Sequence, residues 1–229
     1  MAILAAQTTE TQEFISLLHG ECGDLLVVRE INKQGNVNEF FTRLHTALQY
    51  IPPQDANVYI GMFAHRGKPA TAETTTTTGA LWADFDDTND AAEVEARIRS
   101  AGLPQPSLTV NSGHGIHTYW LLDKRAQAGD VVPVLKALAV ALGSDGSVCD
   151  AARIMRVPGS INHKDSPAVP CSILSVSPLR YNLNDLRKTL TNQLQPARDL
   201  RLQGVRSLLE SDFACIHAMA NGVRKGHRN

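Results

Sequence analysis

An apolar stretch of the chain ends in two acidic residues, Asp84 and Asp86, separated by a single phenylalanine. Because side chains alternate between the two faces of a strand, both carboxylates would point to the same side. Two carboxylates about 7 Å apart on one strand repel each other unless a cation lies between them. Oxygen ligands of this kind suit Mg²⁺ or Mn²⁺. The pattern therefore predicts a divalent-metal site, and the alternative is a strand that runs into an acidic turn.

A glycine-rich turn follows in the sequence Asn-Ser-Gly-His-Gly-Ile-His, which ends at His117. Gly113 and Gly115 permit a positive φ and a close approach of the backbone to a ligand. His117 would begin a strand and share one face of it with Tyr119. A histidine there can donate a hydrogen bond to phosphate oxygens, assisted by N–H groups of the turn. The alternative is a plain hairpin whose histidine is hydrogen-bonded within the protein.

A third segment, which runs to Lys164, combines one carboxylate with several cations. Asp150 follows the apolar pair Val-Cys, which indicates a strand context, and it precedes Arg153 and Arg156. A guanidinium offers a planar fork to phosphate, and a lysine adds a point charge. The segment predicts a polyphosphate clamp, and the alternative is a surface loop of weak ion pairs.

Taken together, the three segments supply carboxylates, a histidine and several cations. Phosphoryl and nucleotidyl transfer need this inventory, because carboxylates hold divalent ions and cations neutralise the departing phosphates. The sequence has no Gly-x4-Gly-Lys-Ser/Thr phosphate loop, which disfavours a Walker-type ATPase. It also has no Gly-x-Ser-x-Gly elbow, and no Gly-x-Gly-x-x-Gly after a strand. These absences weaken hydrolase and dinucleotide-binding interpretations.

Strands and helices alternate along the chain and must position these segments. Apolar and β-branched runs predict strands at residues 25–31, 58–64, 80–87, 107–110, 115–122 and 171–176. Helical spacing of apolar residues predicts helices at 9–18, 38–48, 90–100, 131–142 and from about residue 184. This interleaving favours an α+β fold with a mixed sheet.

The composition is that of an ordinary globular protein, with 43% hydrophobic and 20% charged residues in a chain of 229. No stretch approaches the roughly 18 uninterrupted apolar residues of a membrane helix. The start of the chain lacks the features of a secretory signal. The four cysteines lie far apart, which argues against a zinc knuckle and a disulfide framework, so no zinc is predicted. These features predict a cytoplasmic protein.

The net charge of −1 conceals an asymmetry between the two parts of the chain. Residues 180–229 carry 9 Lys/Arg and 4 Asp/Glu, a balance of +5, whereas residues 1–179 balance at −6. A basic segment behind an acidic body is consistent with a polyanionic partner. A solvated amphipathic helix explains the same charges equally well.

The order of the three segments resembles the archaeo-eukaryotic primase superfamily, in particular the primase-polymerases of phages, plasmids and other mobile genetic elements. That superfamily has an Asp-x-Asp motif, a glycine-led motif that ends in histidine, and a third motif with an acidic residue. The mobile-element branch often continues as Arg-x-x-Arg-x-Pro-Gly-Ser/Thr-x-Asn-x-Lys, which here spans Arg153 to Lys164. The resemblance covers about residues 58–164.

This resemblance implies an RRM-like catalytic sheet, a second α/β subdomain and a C-terminal helical segment. The catalytic domain would span residues 1–195. Residues 196–229 would form a basic helical segment similar to the start of small helical C-terminal domains. The resemblance also implies that Asp84, Asp86 and Asp150 are the catalytic ligands of two Mg²⁺ or Mn²⁺ ions. Asp145 remains open as an alternative third acid.

The implied activity is metal-dependent nucleotidyl transfer that synthesises primers or extends DNA on a single-stranded template. Ribo- or deoxynucleoside triphosphates would be the substrates, and a helicase or an accessory domain would be a partner. The nucleotide would be bound by Ser112, His117, Arg156, Asn162 and Lys164. Two alternatives are a primer-dependent or template-independent polymerase and a non-catalytic DNA-binding module of replication initiation.

Overall fold

Two four-stranded sheets form the framework of the protein in a computed structural model, which describes residues 2–192. In spatial order, the first sheet consists of residues 37–42, 26–32, 56–61 and 154–156, and the second consists of residues 172–176, 108–111, 116–127 and 77–85. All strand pairs within these sheets are antiparallel. The predicted α+β class is therefore confirmed, but the predicted mixed sheet is not found in the described part of the chain.

The first sheet comes from the N-terminal part of the chain and one later strand. Its strands are β1 (Leu26–Asn32), β2 (Val37–Thr42), β3 (Ala56–Gly61) and β7 (Ile154–Arg156). Helix α1 (Ala2–His19) precedes it, and the short helix α2 (Leu44–Ala47) lies between β2 and β3.

The predicted helix over residues 38–48 is wrong, because most of that segment forms β2 and α2. Asn32 begins the turn that makes this pairing possible, since its side-chain oxygen accepts the backbone N–H groups of Gln34 and Asn36 at 3.0 and 2.9 Å. Gly35 takes the positive φ of 82° that the turn requires. The turn lets the following residues run antiparallel to β1 and pair with it as β2. This pairing between strands determines the structure, although the apolar residues of the segment have helical spacing.

The second sheet consists of β4 (Thr77–Phe85), β5 (Leu108–Asn111), β6 (Ile116–Gln127) and β10 (Ser172–Val176). Helix α3 (Ala91–Ser100) connects β4 to β5, and β6 lies between these two strands, antiparallel to both. This is the split β-α-β arrangement found in ferredoxin-like and RRM-like sheets.

Strand β4 is the most deeply buried element of the second sheet. Eight of its nine residues are buried, because α1 and the long helix α4 (Ala128–Leu142) both pack against it. Burial on both faces explains why its sequence is an uninterrupted apolar run instead of an alternating one. The run places Asp84 inside the protein.

Three small elements complete the described chain. A 3₁₀ turn (Gly146–Val148) follows α4, and β8 (Ile161–Asn162) pairs with β9 (Val169–Pro170). Residues 183–192 are helical. The predicted basic segment, residues 196–229, lies outside the described residues, so that domain boundary stays a prediction. No helix in the described part is both long and apolar enough to cross a membrane.

Candidate active site

The three segments singled out from the sequence, which contain Asp84, His117 and Arg156, meet in one cleft of about 250 Å³. The second sheet and the turn beyond β5 provide one side of this cleft, with Asp84, Asp86 and His117. The first sheet provides Tyr59 and Arg156 on the other side. The cleft thus places acidic and basic groups around one space.

Three carboxylates form a cluster at this cleft. Asp84, Asp86 and Asp145 each place an oxygen within 4.8 Å of the others. The backbone N–H of Asp145 donates to the carbonyl of Asp84 at 2.9 Å, which fixes the segment after α4 against the end of β4. The Trp82 indole donates to the carbonyl of Val148 at 3.0 Å and secures the 3₁₀ turn beside it. Buried hydrogen bonds therefore hold the cluster together.

Within the cluster, the pKa of the buried Asp84 is shifted strongly upwards. Burial, together with the neighbouring charges of Asp86 and Asp145, raises its pKa to about 7. Its Oδ1 atom is buried without a hydrogen-bond partner in the described chain. An unsatisfied carboxylate oxygen beside two more carboxylates is a donor set that fits a hard divalent cation. Asp84, Asp86 and Asp145 are thus able to hold Mg²⁺ or Mn²⁺.

Asp150, the predicted third ligand, lies outside this cluster, and the alternative Asp145 takes its place there. The Oδ1 atom of Asp150 accepts the backbone N–H of Ala152 at 2.8 Å, and Oδ2 pairs with Arg153 at 2.8 Å. The apolar pair before Asp150 belongs to the 3₁₀ turn and its end rather than to a strand. The geometry therefore favours Asp145, and metal binding by Asp150 stays a prediction.

His117 lies directly across from Asp84 in the pairing of β6 with β4. Its Nε2 atom is 3.4 Å from Asp84 Oδ1, long for a hydrogen bond, and its Nδ1 atom is 3.2 Å from the Tyr119 hydroxyl. Burial lowers the pKa of His117 to about 3, with a further contribution from Arg156. The ring is therefore neutral near pH 7 and carries one N–H donor.

The glycine turn requires both of its glycines. Gly113 has a φ of 94°, and a Cβ atom there would lie 2.9 Å from the Cβ of Asn162. A Cβ atom on Gly115 would lie 2.6 Å from the carbonyl oxygen of Phe85. Asn162 donates to the carbonyl of Ser112 at 2.8 Å and anchors the turn. The glycines thus let the turn lie against both the end of β4 and the segment that bears Asn162.

Arg156 on β7 is held before any ligand binds. Its guanidinium donates to Asn57 Oδ1 at 2.7 Å and to the Tyr59 hydroxyl at 2.8 Å. It also lies over the Tyr59 ring, 4.7 Å from the centroid. Sequence analysis did not identify Asn57 or Tyr59. Their alternation with the buried Val58 and Ile60 is the one signal that both face the same side.

Most of the sequence-predicted site residues are brought together. The cleft is lined by the predicted residues Asp84, Asp86, Ser112, His117, Arg156, Asn162 and Lys164. The charge of Lys164 acts on Asp84, where it opposes the rise in pKa. Arg153, one of the cations of the predicted polyphosphate clamp, also lines the cleft, and so does His114, which was not predicted as a site residue.

Comparison with known proteins gives relatives but no family model that matches the chain. The chain is 25% identical over 199 residues to a replication protein of Clostridium perfringens, which covers 81% of this chain and 48% of that relative. The chain therefore spans about half the length of the curated relative that it matches.

Solved structures of primases share the fold. The AEP domain of the primase-polymerase of cyanophage S-2L superposes with a TM-score of 0.65 at 22% identity and covers 80% of this chain and 97% of that chain. The primase RepB′ gives 0.58 at 15% identity, covering 86% and 68% of the two chains. The catalytic domain of RepB′ in complex with initiator DNA gives 0.57 at 16% identity, covering 83% and 98%. The chain thus has the fold of these primase and primase-polymerase domains, as the resemblance of the three motifs predicted.

Proposed function

We propose that this chain is a metal-dependent nucleotidyltransferase that synthesises primers and extends DNA on a single-stranded template. The observation that carries this proposal is the cluster of Asp84, Asp86 and Asp145, in which Asp84 is buried. Asp84 and Asp86 line the same cleft as Arg156 and Lys164. Carboxylates on one wall and cations on the other are the arrangement that transfer of a nucleotide from a triphosphate requires.

The carboxylate wall provides the metal ligands. Asp84, Asp86 and Asp145 would hold Mg²⁺ or Mn²⁺, since all their donor atoms are oxygens. The bound ions would lower the pKa of a 3′-hydroxyl and stabilise negative charge on the phosphates. Two ions are expected by the resemblance to primase-polymerases.

The opposite wall binds and orients the triphosphate. Arg156 keeps its guanidinium in place through Asn57 and Tyr59, so little side-chain freedom is lost when phosphate binds. Lys164 adds a second positive charge. On the same side as the carboxylates, the neutral His117 would donate its N–H to a phosphate oxygen, and Ser112 and Asn162 hold the turn beside it. Asp145 would serve as the third ligand in place of Asp150.

Single-stranded DNA is the proposed template. The fold shared with the RepB′ catalytic domain, solved in complex with initiator DNA, supports this partner. A helicase or an accessory domain as a partner stays a prediction from the motif resemblance. A purely DNA-binding module has no need of three clustered carboxylates, which disfavours the non-catalytic alternative.

The test uses one circular single-stranded DNA without a primer and the same DNA with an annealed primer. Each is incubated with ribo- or deoxynucleoside triphosphates and with Mg²⁺ or Mn²⁺. We expect labelled products on both templates, lost on chelation and lost in Asp86→Asn. Products on the primed template alone would establish the primer-dependent alternative. Absence of any product in the presence of either metal would overturn the proposal.

A further inference from the structure

The two aspartates of the Asp-x-Asp motif are held in different ways. Asp84 lies in β4, where it is buried and pairs with His117 of β6. Strand β4 ends at Phe85, so Asp86 lies in the turn that follows and is exposed. A Cβ atom on Gly115 would lie 3.2 Å from the Oδ1 atom of Asp86, which places the glycine turn on one side of it. Neither burial nor the pairing of β4 with β6 therefore fixes Asp86.

Arg97 on α3 contacts the residue on each side of Asp86. Its guanidinium lies over the Phe85 ring, 5.8 Å from the centroid, which is within the range of a cation–π contact. The same guanidinium pairs with the carboxylate of Asp87 at 2.8 Å. Asp86 thus lies between two residues that one side chain of α3 holds.

Glu93, one turn earlier on α3, extends this contact to the next residue of the turn. Its Oε1 atom pairs with Arg97 at 2.5 Å, and its Oε2 atom accepts the hydroxyl of Thr88 at 2.8 Å. Two side chains at a spacing of four residues on one helix are therefore linked to Phe85, Asp87 and Thr88. These are the residues that surround Asp86 in the sequence.

Helix α3 is itself fixed at its start and along one face. The carboxylate of Asp90 accepts the backbone N–H of Ala92 at 2.8 Å and caps the helix. Val94 and Ile98 are buried in the core. Because the cap and the core hold the helix, its contacts determine where the turn after β4 lies.

We propose that Arg97 is a positioning residue that sets the affinity of the carboxylate cluster for a divalent cation. It would hold the turn so that Asp86 keeps an oxygen within 4.8 Å of those of Asp84 and Asp145. The inference rests on the proposed function, because it concerns the same metal site. Loss of a residue that orients a metal ligand commonly lowers metal affinity or activity by about 10- to 100-fold.

Charge and position make opposite predictions for the removal of Arg97. Its positive charge, paired with the neighbour of Asp86, repels a divalent ion at the cluster, so loss of the charge alone would tighten metal binding. Loss of its contacts frees the turn, and a freed Asp86 must be ordered again when the metal binds, which weakens binding. The direction of the change in metal affinity therefore separates positioning from electrostatics.

The test compares Arg97→Gln with Arg99→Gln in the full chain without nucleotide. Arg99 lies on the same helix and pairs with Glu95, four residues earlier, at 3.9 Å. Both variants lose one positive charge and one helical ion pair, but of the two arginines Arg97 is the one that contacts residues 85–88 in the described chain. Electron paramagnetic resonance measures free Mn²⁺ during titration, and the melting temperature is measured with a chelator.

We expect Arg97→Gln to weaken Mn²⁺ binding about tenfold and Arg99→Gln to stay within about twofold of wild type. The melting temperatures of the two variants should agree within about 3 °C, because each loses one ion pair at the surface. Arg97→Lys keeps the charge without the planar fork, so it should recover part of the affinity. In primer extension by Arg97→Gln, the Mn²⁺ concentration for half-maximal rate should rise about tenfold, and kcat at saturating Mn²⁺ should fall by less than about threefold.

Unchanged or tighter Mn²⁺ binding in Arg97→Gln would overturn the inference, because Arg97 would then act through its charge alone or not at all. An equal loss of affinity in Arg99→Gln would also overturn it, since the loss would not depend on the turn. Wild-type protein that binds no Mn²⁺ would exclude the metal site on which the inference depends. Wild-type protein that binds Mn²⁺ but forms no product would overturn the proposed function alone, because metal binding is measured without nucleotide or DNA.

Discussion

The two walls of the cleft differ in how far their polar groups are satisfied. On the second sheet, Asp84 is buried beside the carboxylates of Asp86 and Asp145, and its Oδ1 has no hydrogen-bond partner in the described chain. On the first sheet, the guanidinium of Arg156 donates to Asn57 and Tyr59 and lies over an aromatic ring. The carboxylate wall, formed by Asp84, Asp86 and Asp145, is therefore destabilised by charge repulsion when no cation is bound. The cation wall, formed by Arg156 and Lys164, already has its guanidinium held in place when no phosphate is bound.

This difference predicts different responses to mutation. Removal of a charge from the carboxylate wall relieves repulsion, so activity and stability should change in opposite directions. Removal of a group from the cation wall breaks hydrogen bonds that exist in the free protein, so both should fall. The predictions below test this contrast.

The largest effect is expected for Asp84→Asn. The amide keeps the shape of the side chain but loses the metal-binding charge, so nucleotidyl transfer should fall by about 10³-fold. The free energy of unfolding in the absence of metal should hold or rise, because a buried charge is removed. Urea unfolding with a chelator, and a thermal shift with Mn²⁺, measure the two consequences.

The exposed Glu95 on α3 supplies the control Glu95→Gln, which should retain activity and the Mn²⁺ shift. A marked loss of stability in Asp84→Asn would contradict the view that the carboxylate wall is strained. A Mn²⁺ shift of wild-type size in that variant would place the metal elsewhere.

The third acid is tested by the pair Asp145→Asn and Asp150→Asn. Each asparagine retains a side-chain oxygen that caps the same backbone N–H, of Ser147 in one case and Ala152 in the other. Loss of charge is thus separated from loss of local structure. Activity should fall by about 10²-fold in Asp145→Asn and by no more than about threefold in Asp150→Asn. The reverse order would restore Asp150 as the metal ligand.

The cation wall is tested by Arg156→Lys, which keeps the charge but loses the planar fork and its two hydrogen bonds. We expect KM for the nucleotide to rise about 20-fold and the melting temperature to fall. Tyr59→Phe keeps the ring, and it should raise KM only about threefold because one hydrogen bond is lost. Arg99→Lys on α3 is the exposed control. An unchanged melting temperature in Arg156→Lys would contradict the preorganised wall.

Much of the fold was accessible from the sequence because local patterns and tertiary packing agree. The uninterrupted apolar run of β4 and the spacing of apolar residues in α4 both predicted the correct elements. Residues 38–48 show the opposite case. Phe40, Phe41 and Leu44 have helical spacing, but the turn at Asn32 pairs the phenylalanines with Val28 and Val27 of β1. The spacing of apolar residues within 38–48 carries no information about the pairing with β1, which decides the structure of this segment.

The site was predicted to the extent that its residues belong to contiguous motifs. Asp84, His117 and Arg156 each stand in a recognisable segment, and the cleft contains all three. Tyr59 lies in no motif, since its contact with Arg156 joins residues 97 positions apart through the pairing of β3 with β7. The choice between Asp145 and Asp150 depends on how the chain turns after α4, which residue spacing does not determine.

A buried histidine outside the cleft makes the stability of the protein depend on pH, and its contribution can be separated from that of the groups in the cleft. His19, at the end of α1, is fully buried, and burial together with the charge of Arg125 lowers its pKa to about 3. Between pH 6.5 and 3 the unfolded chain therefore binds a proton at this histidine that the folded protein does not. Its contribution to stability is complete above pH 6.5 and is lost as the pH falls.

Between pH 8 and pH 5.5 this loss should amount to about 1.4 kcal/mol. His19→Leu replaces the imidazole with an apolar side chain of similar size that does not titrate, so the free energy of unfolding of this variant should fall by that much less over the same interval. His45→Leu, at an exposed histidine, is the control and should follow wild type. Urea unfolding at the two pH values measures the difference. Because His117 remains in all three proteins, its titration cancels. Parallel losses in wild type and His19→Leu would show that His19 does not contribute to the acid sensitivity.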